Sequence, residues 1–172
     1  MRLTSPTSAI AFVVMLAAAP AQLAAQDDWT RIKPGETPQG LVQKVLGPAS
    51  AQQETFDGTV SVWKSKLAAN EIRLRFSDDS LVREMVVVPA GPMTETQVTS
   101  LFGATKERLH VNGDGSWVVA YPIGKAVVDY SKIGAVTKIT VGPDAIQRAH
   151  SEALTTKASV GISNLFGKKK KP

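Results

Sequence analysis

The chain has 172 residues, no cysteine and a formal net charge of +5. The absence of cysteine excludes disulfides, thiolate catalysis, Cys-bearing metal sites and lipid attachment to an N-terminal cysteine. The excess charge belongs to Arg2 and the Lys168–Lys171 run, so the remainder is neutral and does not predict a specific nucleic-acid-binding surface.

Residues 1–25 are typical of a secretory signal peptide. Met1 and Arg2 provide a positive start, and the apolar run Ala9–Ala19 is shorter than the roughly 18 residues of a membrane-spanning helix. We expect cleavage after Ala25, which places the protein in the periplasm or outside the cell, with no transmembrane segment left. A retained anchor helix is the alternative.

The first unit of the domain is predicted over residues 30–89. Thr37 is the expected N-cap of a short helix over 38–46, because Pro38 suits the first helical position and Gly47 suits the end. Period-two alternation predicts strands after the helix. These strands cover residues 60–65, 72–76 and 81–88.

A second unit, predicted over residues 91–143, has the same order of helix and strand signals. Trp63 and Trp117 are 54 residues apart, and so are Phe76 and Tyr130. Thr94 begins a second helix, with Gln97 placed for a capping box. Its strands are predicted at residues 116–121, 125–130 and 136–141.

These patterns predict an α+β fold. It consists of two tandem repeats, each a helix plus a three-stranded antiparallel meander, with the helices on one face of the sheet. An extra C-terminal helix is expected over 144–158. The basic tail, residues 159–172, is expected to be flexible and able to touch anionic surfaces.

The sequence shows no recognisable catalytic or metal-binding motif. His110 and His150 lack the spacing of a metal-binding helix, and no nucleophile elbow or phosphate-binding loop is present. The loop around Asp114 lacks the last acidic ligand of a calcium loop and is interpreted as a turn. We therefore expect no enzyme, no metal and no cofactor.

Exposed aromatic and arginine side chains on the strands are the candidate partner-binding residues. Tryptophan is common among interface hot spots, although core packing is the alternative for both Trp63 and Trp117. The alternation of apolar and charged residues places two arginines on a solvent-facing side of a strand. The candidates are Trp63, Trp117, Arg73, Arg75 and Tyr130.

One motif opens the first unit. It reads Ile-Lys-Pro-Gly-Glu-Thr over 32–37, then Val42 and Leu46-Gly47-Pro48, followed by a Trp strand and a closing Val-Arg-Glu-Met-Val-Val strand. This pattern resembles the BamE-like (SmpA/OmlA) domain family over about residues 30–143. Two such units in tandem are similar in architecture to the β-lactamase inhibitory protein.

The resemblance implies a protein-binding module of the bacterial cell envelope. Such a module would be an accessory of outer-membrane protein assembly or of envelope integrity, with an envelope protein as its partner. A secreted protein inhibitor of an exported enzyme is the second hypothesis. A small-ligand or lipid-binding module is the third, and it requires an apolar pocket between helices and sheet.

Overall fold

A computed structural model describes residues 29–64 and 69–166, with the backbone alone for 156–166. The predicted signal peptide, with its cleavage after Ala25, lies outside the described residues. So does the end of the predicted basic tail, residues 167–172.

Eight antiparallel strands form one continuous sheet in the order β1-β2-β3-β4-β8-β7-β6-β5. The two halves meet where β4 pairs with β8, through Met85 opposite Val141. The strands are β1 (Ala51–Thr55), β2 (Gly58–Lys64), β3 (Ala69–Phe76), β4 (Val82–Pro89), β5 (Glu107–Val111), β6 (Trp117–Tyr121), β7 (Ala126–Tyr130) and β8 (Val136–Val141).

Within the residues that the structure describes, three α-helices pack on the two faces of this sheet. They are α1 (Gln39–Leu46), α2 (Glu95–Phe102) and α3 (Ala145–Phe166), and a single 3-10 turn covers Trp29–Arg31. Val42 of α1 and Val98 of α2 belong to one core cluster, which includes Leu74 and Val128 of the sheet. The apolar side chains of α3 instead pack on the opposite face, in a smaller cluster around Val118, Ala120 and Val127.

The predicted fold of two tandem helix-plus-three-strand repeats is wrong. Each of α1 and α2 is followed by four strands, and all eight strands share a single sheet. The strands missed were β1 and β5, the two edges. All five residues of β1 are exposed, and Leu109 is the only buried residue of β5, so neither has the alternation that reveals a strand.

Strand pairing also corrects the correspondence between the tryptophans. The 54-residue offset relates the register of β3–β4 to that of β7–β8, including a bulge before Phe76 and one before Tyr130. In the preceding strands the offset fails. Trp63 pairs with Ile72, whereas the residue that pairs with the matching Ala126 is Tyr121. The structural counterpart of Trp63 is therefore Tyr121, not Trp117.

The helix ends were predicted with mixed success. The capping box of Thr94 and Gln97 is confirmed. At α1 the N-cap is Pro38, and the Thr37 hydroxyl instead accepts a hydrogen bond from the Lys33 amide at 2.8 Å. Helix α3 continues to Phe166 rather than ending at residue 158. No helix within the described ranges combines the length and apolar character needed to cross a bilayer.

Candidate functional site

The indole of Trp117 stacks on a neighbouring phenol. Trp117 begins β6, Tyr130 ends β7, and the two residues are direct partners in the antiparallel register. Their ring centroids are 5.5 Å apart and the ring planes differ by 11°. This is an offset-stacked arrangement of the kind that aromatic pairs favour, and it fixes the indole in one orientation.

A guanidinium group lies over the same indole. The central carbon of Arg108 is 5.5 Å from the centroid of the Trp117 ring, within cation–π range. Arg108 comes from β5 and Tyr130 from β7, and these strands flank β6 on opposite sides. Arg108 and Tyr130 thus contact the indole from the two strands that flank β6, and Trp117 remains partly exposed.

Beneath this stack lies a cavity of about 310 Å³. An ion pair between Glu95 of α2 and Lys106 borders it. At the inner wall, the hydroxyls of Tyr121 and Tyr130 are 2.9 Å apart. The lining residues are Glu95, Lys106, Arg108, Trp117, Val119, Tyr121, Tyr130 and Gly134.

Tyr130 stays protonated at neutral pH. Burial raises the pKa of Tyr130 well above its ordinary value of 10.0, and the hydrogen bond to Tyr121 and the charge of that neighbour add to the shift. One hydroxyl donates within the pair and the other accepts. The hydroxyl that accepts keeps its own proton. It can therefore donate a hydrogen bond to a group that enters the cavity.

Alkaline titration tests this burial. The chain contains two tyrosines, so a Tyr121→Phe variant reports on Tyr130 alone. We expect its phenolate absorbance to appear only above pH 10, since burial is the largest cause of the raised pKa. A raised folded pKa means that stability is complete below the unfolded value and declines as pH rises past it. Phenolate formation at pH 10 without unfolding would contradict the buried placement.

Apolar side chains extend the site along the ends of β5 to β8. Val111 pairs with Trp117 across β5 and β6 and is 58% exposed. Ile133, in the turn between β7 and β8, is 83% exposed. That turn lies close to the indole, because a side chain added at Gly134 would stand 3.7 Å from the Trp117 ring. We call Arg108, Val111, Trp117 and Ile133 the Trp117 surface. Tyr130 is only 5% exposed and supports the indole from the core, so its prediction as a partner-binding residue is corrected to core packing.

The structure separates the predicted site residues into three groups. Trp117 and Tyr130 come together, as described. Trp63 is 6% exposed and donates its indole N–H to the carbonyl of Gly47 at 3.0 Å, so its placement as a partner anchor is corrected to core packing. Arg73 and Arg75 lie on the opposite face of the sheet, since they alternate with the core residues Ile72 and Leu74.

Both strand arginines engage carboxylates of this chain. Arg73 pairs with Glu71, and Arg75 pairs with Asp57 and Glu84. The residues that sequence reasoning missed at the Trp117 surface are Arg108, Val111 and Ile133. Arg108 and Val111 lie in β5, a strand that was not predicted. Ile133 lies in a turn, where apolar periodicity gives no signal.

Other titratable side chains have partners of their own within the chain. His150 lies 3.8 Å from a carboxylate oxygen of Glu107. Asp114 lies in a turn, as interpreted from the sequence, and accepts hydrogen bonds from the hydroxyl and the amide of Ser116, which lower its pKa. Within residues 29–64 and 69–166, no group of three or more His, Cys, Asp or Glu side chains is arranged to hold a metal ion.

Comparison with known proteins places the chain in no family. No protein-family model matches it, and no curated protein matches it. A DUF4309 family protein, YjgB, from Bacillus subtilis is similar in structure, with a TM-score of 0.44, 9% identity, and coverage of 68% of this chain and 92% of that one. A cysteine-rich secretory protein from Staphylococcus aureus aligns with a TM-score of 0.38 and 12% identity. That alignment covers 70% of this chain and 49% of that one.

Proposed function

We propose that this protein is an exported, non-enzymatic module of the bacterial cell envelope that binds a protein partner through the Trp117 surface. The observation that carries the proposal is a partly exposed tryptophan that contacts an exposed arginine and stacks on the buried Tyr130. Tryptophan and arginine are enriched among interface hot spots. Export to the periplasm or beyond follows from the predicted signal peptide.

The restricted side chain of Trp117 favours binding. Tyr130 and Arg108 both contact the Trp117 ring, so little side-chain freedom remains to be lost when a partner docks. Val111 and Ile133 supply exposed apolar area beside the indole. A partner with an apolar contact residue next to a carboxylate would match this surface, because Arg108 provides positive charge there.

Crosslinking in envelope fractions tests the proposal. We expect the purified protein to capture a defined partner, and Trp117→Ala to weaken that capture roughly 30-fold or more, as loss of a hot spot does. Leu154→Ala is the matched control, because Leu154 is 68% exposed on α3, whose packed side chains cover the other face of the sheet.

Circular dichroism must show that both variants are folded. Equal capture by wild type and Trp117→Ala, or equal losses in Trp117→Ala and Leu154→Ala, would exclude the Trp117 surface as the contact.

A further inference from the structure

A second cavity lies on the same face of the sheet, where the two halves of the sheet meet. Its floor is Met85 of β4 and Val141 of β8, which pair directly across the junction. One wall is the segment that begins with Trp29 and Ile32. The other wall is the end of α2, with Leu101 and Phe102, and the turn between β6 and β7, with Ile123. We call this cavity the junction groove.

The junction groove is apolar inside and open to water along its rim. Leu101 is 40% exposed and Ile123 is 70% exposed, although both border a core that is otherwise closed. The cavity volume is about 320 Å³, which is room for roughly ten groups the size of a water molecule. A two-chain lipid does not fit in this volume, whereas one acyl chain of medium length does.

The wall that carries Ile123 is held rigidly against α2. A side chain at Gly124 would stand 2.7 Å from the Cα of Phe102, so the turn approaches the helix more closely than any other residue allows. The turn is closed by a hydrogen bond from the Lys125 amide to the Pro122 carbonyl at 3.2 Å. The groove is therefore a formed feature of the fold.

Lys125 occupies a backbone position that glycine would favour. Its φ is 49°, in the left-handed region, where a residue with a Cβ is strained. Its side chain is exposed and lines the junction groove. The turn therefore places a positive charge at the edge of the groove.

The rim leaves this charge available. Lys33 and Glu36 also line the groove and pair with each other at 4.0 Å. Lys125 has no ion pair within the described residues. Among the residues that the structure describes, the rim thus carries one lysine without an ion pair beside an apolar cavity of about 320 Å³.

We propose that the junction groove binds a carboxylate with a single acyl chain of medium length, with the chain over Met85 and Val141 and the carboxylate at Lys125. The site is separate from the Trp117 surface, so the proposal does not depend on the proposed protein-binding function. Apolar burial supplies most of the affinity, and the lysine selects for an anionic head.

A chain-length series measures the apolar part. Calorimetric titration of the purified full chain with saturated carboxylates is expected to show affinity rising roughly fourfold for each added methylene. The rise should stop at roughly ten carbons, where the cavity is full. Ligands are kept below their critical micelle concentrations. Absence of octanoate binding under these conditions, or affinity that is independent of chain length, would overturn the proposal.

Substitution at Lys125 measures the charge. Lys125→Gly keeps the left-handed turn and is expected to keep or raise the melting temperature. It should bind octanoate roughly three- to fivefold more weakly and 1-octanol unchanged. Lys44→Ala, at an exposed lysine of α1 away from the groove, is the charge control and should bind octanoate as wild type does.

Substitution at the wall gives an independent readout. Ile123→Ser is expected to weaken octanoate and 1-octanol alike, whereas Leu154→Ser on α3 should change neither. Unchanged octanoate affinity in both Lys125→Gly and Ile123→Ser would place the ligand elsewhere and refute the assignment.

Discussion

Replacing Trp63 with alanine is expected to lower the free energy of unfolding by about 3–5 kcal/mol. The side chain is 6% exposed and lies in the main core cluster with Ile72 and Leu74. Its indole N–H also binds the carbonyl of Gly47 at 3.0 Å, the residue that ends α1. The substitution therefore leaves a large cavity and detaches the end of α1 from β2.

The matched comparison is Trp117→Ala. Trp117 is partly exposed, and its removal forfeits the Tyr130 stack and the Arg108 contact, together about 1–2 kcal/mol. Urea unfolding followed by circular dichroism measures both variants. Trp63→Ala should show the larger loss of unfolding free energy, whereas Trp117→Ala should show the loss of partner capture. Equal stability losses would show that the two indoles have equivalent environments, contrary to the register of β2 and β6.

The strands that could be predicted are those with one buried face. In β3, Ile72 and Leu74 alternate with Arg73 and Arg75, and the period of two follows directly from their opposite faces. Edge strand β1 has no buried side chain, so its sequence carries no such signal. Missing an edge strand lowers the number of strands predicted in each unit from four to three. The single eight-stranded sheet could not be inferred from units that each lacked one strand.

The candidate site was only half accessible to sequence reasoning. Trp117 and Tyr130 were singled out as aromatics, but their direct pairing depends on the register across the turn from Pro122 to Lys125, which alternation does not specify. Arg108 comes from the missed strand β5. A constant offset suggested that Trp63 and Trp117 were equivalent, whereas hydrogen-bond register makes one a core residue and the other part of a surface.

Replacing Glu84 with alanine is the second substitution for which we expect a large effect. Glu84 on β4 lies between Arg75 of β3, at 3.9 Å, and Arg148 of α3. Its side chain is 13% exposed and that of Arg75 is 17% exposed, so the variant leaves a guanidinium mostly buried with less compensation. We expect a loss of about 2–3 kcal/mol, below the value for a fully buried pair because water and Asp57 still reach Arg75.

Arg83→Ala is the control for this substitution. It removes an ion pair with Asp144 whose side chains are 56% and 49% exposed, so the expected loss is under about 1 kcal/mol. Both pairs connect β4 to α3 or to Asp144, the residue that precedes it, but only Glu84 is buried against two arginines. Amide hydrogen exchange should therefore show α3 losing protection in Glu84→Ala and keeping most of it in Arg83→Ala. The same loss of protection in both variants would mean that burial of Glu84 does not set the strength of this connection.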